Sequence, residues 1–143
     1  MVAVDLHRPG LARLVGQLDG SGPPNVRVAE ADVTELVAHH LEPGSVAAVR
    51  ILFPDPWPKR RHVERRLVDR AFVARLADLL PAGGGLHIAT DWDDYAGQAK
   101  AALVAEPRFG PWSSVRPDRP ETTYERRGLA SGRPITDLVV VRT

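Results

Sequence analysis

Cysteine is absent from the 143 residues. That excludes a disulfide framework, a thiolate zinc site and a cysteine nucleophile, and leaves any metal to His, Asp or Glu alone. Long apolar runs are missing too. None exceeds about five residues before a charge or a turn residue, against the roughly 18 that cross a bilayer. The start has no basic stretch leading into an apolar one, because Asp5 follows Val2, Ala3 and Val4 at once, so a cytoplasmic protein without a secretory signal is expected. Charge of one sign is not in excess: the net value is +1, which by itself points neither to nor away from nucleic acid. Lysine is scarce. Seventeen of the 19 basic residues are arginine, a bias that suits bidentate phosphate recognition and also follows from base composition alone.

What is present alternates. Val2 to Leu6 reads as a strand. Pro9 and Gly10 then open a segment with Leu11, Leu14, Val15 and Leu18 on one helical face, stopped by Gly20, Ser21 and Gly22. Val26 to Ala29 is a second strand, and Asp32 has the position of an N-cap, with Glu35 three residues on and Val33, Leu36, Val37 and Leu41 behind it. Val46 to Phe53 is a third strand, broken by Pro54. A long helix is expected from about His62 to Leu80, then a glycine stop at 83–85, a strand from Leu86 to Thr90, and a helix around Tyr95, Ala99, Ala102 and Leu103 that Pro107 ends. The tail reads as a possible strand at Trp112 to Val115, a loop from Arg116 to Arg127, and a closing strand from Ile135 to Val141. This succession predicts one α/β domain over residues 1–143 with a largely parallel sheet. Ligands in such sheets bind beyond the carboxyl ends of the strands, where Asp5, Asp32, Asp55 and Asp91 fall. Helix capping alone explains Asp32 and Asp91; it explains Asp5 and Asp55 less well.

The stretch Phe53-Pro-Asp-Pro-Trp-Pro-Lys59 carries three prolines, which fix φ and stiffen a loop holding a carboxylate, an indole and an ammonium in a set relation. Taken without context, a Pro-Asp-Pro crossover is more often structural. Directly after it, residues 59–75 carry +5 while the whole chain carries +1, with too few acids for the usual i, i+4 pairing, and phosphate contact is the favoured reading. The run Gly83-Gly84-Gly85 follows a helix and precedes a strand, the reverse of a dinucleotide fingerprint. His39 and His40 lack a third ligand at metal spacing, so no metal site is expected.

Several of these motifs together resemble the bacterial tRNA (guanine-N7-)-methyltransferases. The resemblance rests on Phe53-Pro-Asp-Pro-Trp-Pro-Lys-Arg-Arg-His62, Arg65-Arg66-Leu67, Leu86-His-Ile-Ala-Thr-Asp-Trp92 with Tyr95, Arg119-Pro-Glu-Thr-Thr-Tyr-Glu-Arg-Arg-Gly128, and Asp137-Leu138. Val4 to Gly10 and the Glu30-Ala-Asp32 turn extend it nearly end to end. It implies a Rossmann-like class I methyltransferase fold, with helices on both faces of a mostly parallel sheet, and methylation of a variable-loop guanosine in tRNA at N7. It implies S-adenosyl-L-methionine as cofactor, with Asp5, Asp32 and Asp55 as its contacts and Asp55 also catalytic. Lys59, Asp91, Thr122, Thr123, Tyr124 and Glu125 are then substrate contacts, and Arg61, His62, Arg65 and Arg66 contact RNA. The chain departs from the family's pattern at Asp5, usually Glu, at Tyr124, usually Phe, and at Arg133, often His. The family also carries an earlier strand and a Gly-x-Gly loop that this sequence lacks, so an N-terminally incomplete domain is expected. Two other readings stay open: an RNA-binding remnant without catalysis, and a methyltransferase of a different base nitrogen.

Overall fold

The computed structural model describes residues 1–19 and 22–143; Gly20 and Ser21, part of the stop expected after the first helix, lie outside the described residues. The chain divides into two compact units, residues 1–41 and 42–143.

In the first unit, β1 (Val2–Asp5) pairs in parallel with β2 (Arg27–Glu30). Between them runs α1 (Arg8–Leu18), with Pro9 in its first turn, where a missing N–H costs nothing. Leu11 is the buried member of its apolar stripe. Asp32 caps α2 (Val33–His39), as its spacing predicts.

The second unit is a three-stranded sheet of order β3-β4-β5. β3 (Ala48–Leu52) and β4 (Gly85–Thr90) are parallel, and β5 (Thr136–Val141) runs antiparallel to β4. Burial on both faces explains why β4 reads as an unbroken apolar run with a single His in it. The helices α3 (Arg70–Leu79) and α4 (Asp93–Val104) supply Phe72, Leu76, Tyr95 and Leu103 to a core completed by Leu86, Ile88, Leu138 and Val140. Gly83, at φ +83, turns the chain from α3 into β4, and its N–H donates to the Arg142 carbonyl. Among the described residues, five strands thus form two sheets, parallel but for the last pair.

Three expectations are corrected. The long helix from His62 is a short 3-10 helix, Arg60–Arg65, then an extended break, then α3. The break has a local cause: Arg66 is extended, at ψ 132, and the Asp69 carboxylate accepts from the Phe72 N–H at 2.7 Å, starting a new helix there. The strand expected at Trp112 to Val115 amounts to one bridge, Ser113 to Val139. Finally, the expected loop from Arg116 to Arg127 ends in a helix, α5 (Thr123–Ala130). α5 buries Glu125 and Gly128 while Tyr124 and Leu129 are exposed, so it has no apolar stripe to betray it.

Candidate active site

The Pro-rich loop leaves the carboxyl end of β3 and returns to the 3-10 helix. Its first and last turns hold two bulky residues in the left-handed region, Phe53 at φ 54 and Trp57 at φ 42. Such conformations cost on the order of 1–3 kcal/mol each and persist only where the surroundings over-determine them. Asp55 lies between them, exposed. Lys59 is exposed at the cap of the 3-10 helix. The Trp57 ring is held on two sides: the His62 ring meets it edge-on with centroids 5.7 Å apart, and the Arg65 guanidinium lies 5.2 Å from its centre. Arg61 donates through Nε to His62 Nε2 at 3.3 Å. Lys59, Arg60, Arg61 and Arg65 are exposed and His62 is half-buried, so this side of the loop is a basic surface with an aromatic at its centre.

Arg66 is a correction. Its side chain is 1% exposed and cannot serve as an RNA contact. Nε donates to the Pro56 carbonyl at 2.8 Å, Nη1 to Gln98 Oε1 at 3.0 Å and Nη2 to Asp94 Oδ2 at 2.6 Å, while the plane lies over the Tyr95 ring. Tyr95 is buried, and its hydroxyl accepts from the Val68 N–H at 3.0 Å. Burial raises the Tyr95 pKa; the Val68 bond and Arg66 oppose that, and the charges of Asp55 and Asp69 add to it.

At the end of β4, Asp91 is half-buried and its Oδ2 accepts from Arg133 Nε at 2.8 Å. Gly128 of α5 lies against it: a Cβ there would come within 2.8 Å of the Asp91 carboxylate. Thr122 caps α5, accepting from the Glu125 N–H at 3.0 Å, while Glu125 reaches back to the Thr122 N–H, a reciprocal capping box. Thr123 Oγ1 accepts from Arg126 and the exposed Tyr124 ring lies under Arg127. Glu125 is the second correction. It is fully buried, and its oxygens are occupied by Arg119 at 2.6 Å and by Arg116, so it is not open to a substrate. Burial pushes its carboxyl up, but hydrogen bonding and charge from Arg119, the Thr122 N–H and Arg116 outweigh this and hold it below the usual range. Arg119 also bonds Asp137, which pairs with His87 at 2.6 Å, and Arg119 lies over the Phe53 ring. The start of α5, the start of β5 and the middle of β4 are therefore tied together by one ionic cluster, whose Arg119 also covers the Phe53 ring after β3. Sequence reasoning missed its hub, Arg119, together with Asp137 and His87; the Thr122-x-x-Glu125 box was the legible signal.

In the first unit, Asp5 Oδ1 accepts from the His7 N–H at 2.9 Å, and Oδ2 has no partner among the described residues. An exposed carboxylate at the carboxyl end of a parallel strand fits a hydroxyl-bearing ligand such as a ribose. Asp32 Oδ1 accepts from both the Thr34 hydroxyl, at 2.7 Å, and the Thr34 N–H, at 2.8 Å, and these bonds lower its pKa. Among the described residues no group of His, Asp and Glu is placed to hold a metal ion, and no helix is long and apolar enough to cross a membrane.

The fold is similar to that of solved methyltransferase structures. An rRNA methylase from Streptococcus thermophilus superposes with a TM-score of 0.63 at 15% identity, covering 99% of this chain and 72% of its own. A Streptococcus mutans protein described as "a putative methyltransferase", solved in complex with S-adenosylhomocysteine, gives 0.59 at 15% identity, covering 99% of this chain and 75% of its own. Residues 1–138 match the family model described as "Putative methyltransferase", and the chain belongs to that family. The tRNA (guanine-N7-)-methyltransferase of Halorhodospira halophila is 46% identical over 144 residues. That match takes in 96% of this chain and 62% of the relative, so the chain spans under two thirds of the protein it matches.

Proposed function

We propose that the chain is the catalytic portion of a cytoplasmic tRNA (guanine-N7-)-methyltransferase, acting on a variable-loop guanosine. The observation that carries this reading is the exposed Asp55, fixed on a strained, proline-stiffened loop beside a basic aromatic surface, in a chain close in sequence to a protein of that name. Guanine N7 carries an in-plane lone pair and is unprotonated at neutral pH, so its methylation needs alignment more than a base. S-adenosylmethionine, when bound, supplies an electrophilic sulfonium methyl group; Asp5 and Asp32 of the first unit are proposed contacts for it. The methylated ring is cationic, and the Asp55 carboxylate stabilises that developing charge or accepts from the guanine N1 and N2 edge. Asp91, steadied by Arg133, offers its other oxygen to the same edge. Lys59, Arg61, His62 and Arg65 hold phosphates. Thr122, Thr123 and Tyr124 bring the first turn of α5 to the substrate.

The test is incubation of the chain with labelled S-adenosylmethionine and tRNA, followed by mapping of the methylated atom. Label at N7 of the variable-loop guanosine is expected, and Asp55→Ala should cut turnover about 100- to 1000-fold while tRNA binding persists. Label on an exocyclic amine, or tRNA binding without any transfer, overturns the reading in favour of a different base methyltransferase or a binding remnant.

A further inference from the structure

Arg66 is the least exposed of the basic residues between 59 and 75, and the geometry assigns it to the Asp55 loop: we propose that Arg66 is the positioning residue that fixes Asp55 for methyl transfer. This rests on the function proposed above only for the word transfer; the mechanical part stands on the structure. The loop from Phe53 to Lys59 contains three prolines, so few of its residues have an N–H with which to hold it in place. Its two strained residues, Phe53 and Trp57, need an external constraint. Arg66 supplies one at Pro56, the residue after Asp55, through Nε at 2.8 Å.

The other end of the guanidinium is fastened to α4. Nη1 reaches Gln98 and Nη2 reaches Asp94, one turn apart on that helix, and the plane stacks on Tyr95 between them. Both neighbours are fastened in turn to the break before α3: Gln98 donates to the Val68 carbonyl at 3.1 Å, and Tyr95 accepts from the Val68 N–H. A chain of bonded groups therefore runs from the core helix α4 to the loop. Lysine cannot take this place. One ammonium has no planar fork with which to address a carbonyl, an amide and a carboxylate lying in three directions, nor a flat face for the tyrosine ring. Arg65, the neighbour in sequence, points the other way, over Trp57, and is exposed. Two adjacent arginines in one basic run thus do different work: Arg65 meets the solvent and the polyanion, Arg66 holds the carboxylate loop.

The experiment compares Arg66→Lys and Asp94→Asn with Arg65→Gln in the same chain, by hydrogen–deuterium exchange and by steady-state kinetics, after thermal melts show each variant folded. In Arg66→Lys, the bonded amides that bracket the loop, Phe53, which donates to the Ala89 carbonyl, and His62, which donates to the Lys59 carbonyl, should exchange about tenfold faster, the effect of one lost hydrogen bond, while those of β4 and α4 keep their protection. Turnover should fall about 10- to 100-fold with the Michaelis constant for tRNA within about twofold. Asp94→Asn, which removes only the outer carboxylate, should show the same pattern more weakly. Arg65→Gln should instead act first on tRNA binding, raising the Michaelis constant for tRNA by more than it lowers turnover. If Arg66→Lys leaves loop exchange at the wild-type rate, or loses tRNA affinity as Arg65→Gln does, the assignment is wrong. If the wild-type chain transfers no methyl group, the functional reading fails by itself, and the exchange arm still decides whether Arg66 holds the loop. Should Arg66→Lys not fold, exchange in Asp94→Asn decides it.

Discussion

Glu125 shows how far a single residue's work depends on what folds around it. An acid in the run Thr-Thr-Tyr-Glu, behind a basic tail, invites reading as a contact for a nucleobase. The structure instead encloses it with two arginines and a helix cap, its side chain wholly buried. Removing one member of such a cluster leaves the other buried charges short of a partner, which costs more than the pair itself contributes. Glu125→Ala should therefore destabilise the chain by about 3–5 kcal/mol at neutral pH, read from urea midpoints. The pH dependence has a definite sign. Because the folded carboxyl is held below its usual range, its stabilisation is complete above an unfolded value of about 4.3 and is lost as pH falls below that, toward the folded value. The stability gap between wild type and Glu125→Ala should close on acidification in that window. A gap that persists unchanged well below it would show that Glu125 acts through packing rather than charge.

At the scale of elements, the contact between α5 and the end of β4 is sensitive to volume. Gly128 faces the Asp91 side chain, where an added Cβ would lie 2.8 Å from both its Cβ and its carboxylate oxygen. Alanine in a helix gains up to about 1 kcal/mol over glycine. Overpacking of this kind costs about 1–3 kcal/mol, and here the obstacle is the root of the side chain and not a flexible tip, so the clash should win. Gly128→Ala is expected to lower the urea midpoint and, by displacing Asp91, to reduce methyl transfer; a stabilised variant of unchanged activity would mean that α5 moves aside freely. The same helix shows what the sequence made legible. The helices α3 and α4 and strands β3, β4 and β5 follow from apolar periodicity, because they are held by burying apolar faces. α5 is held by a capping box and a buried ion pair, which leave no periodic trace, and the tail therefore reads as loop. The Asp55 loop was legible for a different reason: proline and aspartate mark a stiff polar turn wherever they fall. The positive φ of Phe53 and Trp57 was not, since nothing in either side chain favours it and the surroundings impose it.

For the whole molecule, the sum of charges conceals their arrangement. The chain carries +1, and residues 59–75 alone carry +5. Folding sorts this segment further. Lys59, Arg60, Arg61, Arg65, Arg70 and Arg75 are exposed, Arg66 is withdrawn, and of the two acids Asp69 gives its carboxylate to the cap of α3. What solvent and a polyanion meet is a cluster of cations with Glu64 the one acid in the segment left uncommitted to a helix cap. Binding of such a surface to tRNA releases condensed counterions, so affinity should fall linearly with the logarithm of salt concentration, at about 0.7–0.9 in slope per phosphate neutralised. The triple variant Arg60→Gln, Arg61→Gln, Arg65→Gln should lower the magnitude of that slope by about 2–3, one unit or slightly less per lost contact, in fluorescence anisotropy over a salt series. Arg66→Lys should leave the slope where it was, because a buried guanidinium neutralises no phosphate. A triple variant with an unaltered slope would mean that the polyanion is gripped elsewhere, and would separate the basic segment from the Asp55 loop that it borders.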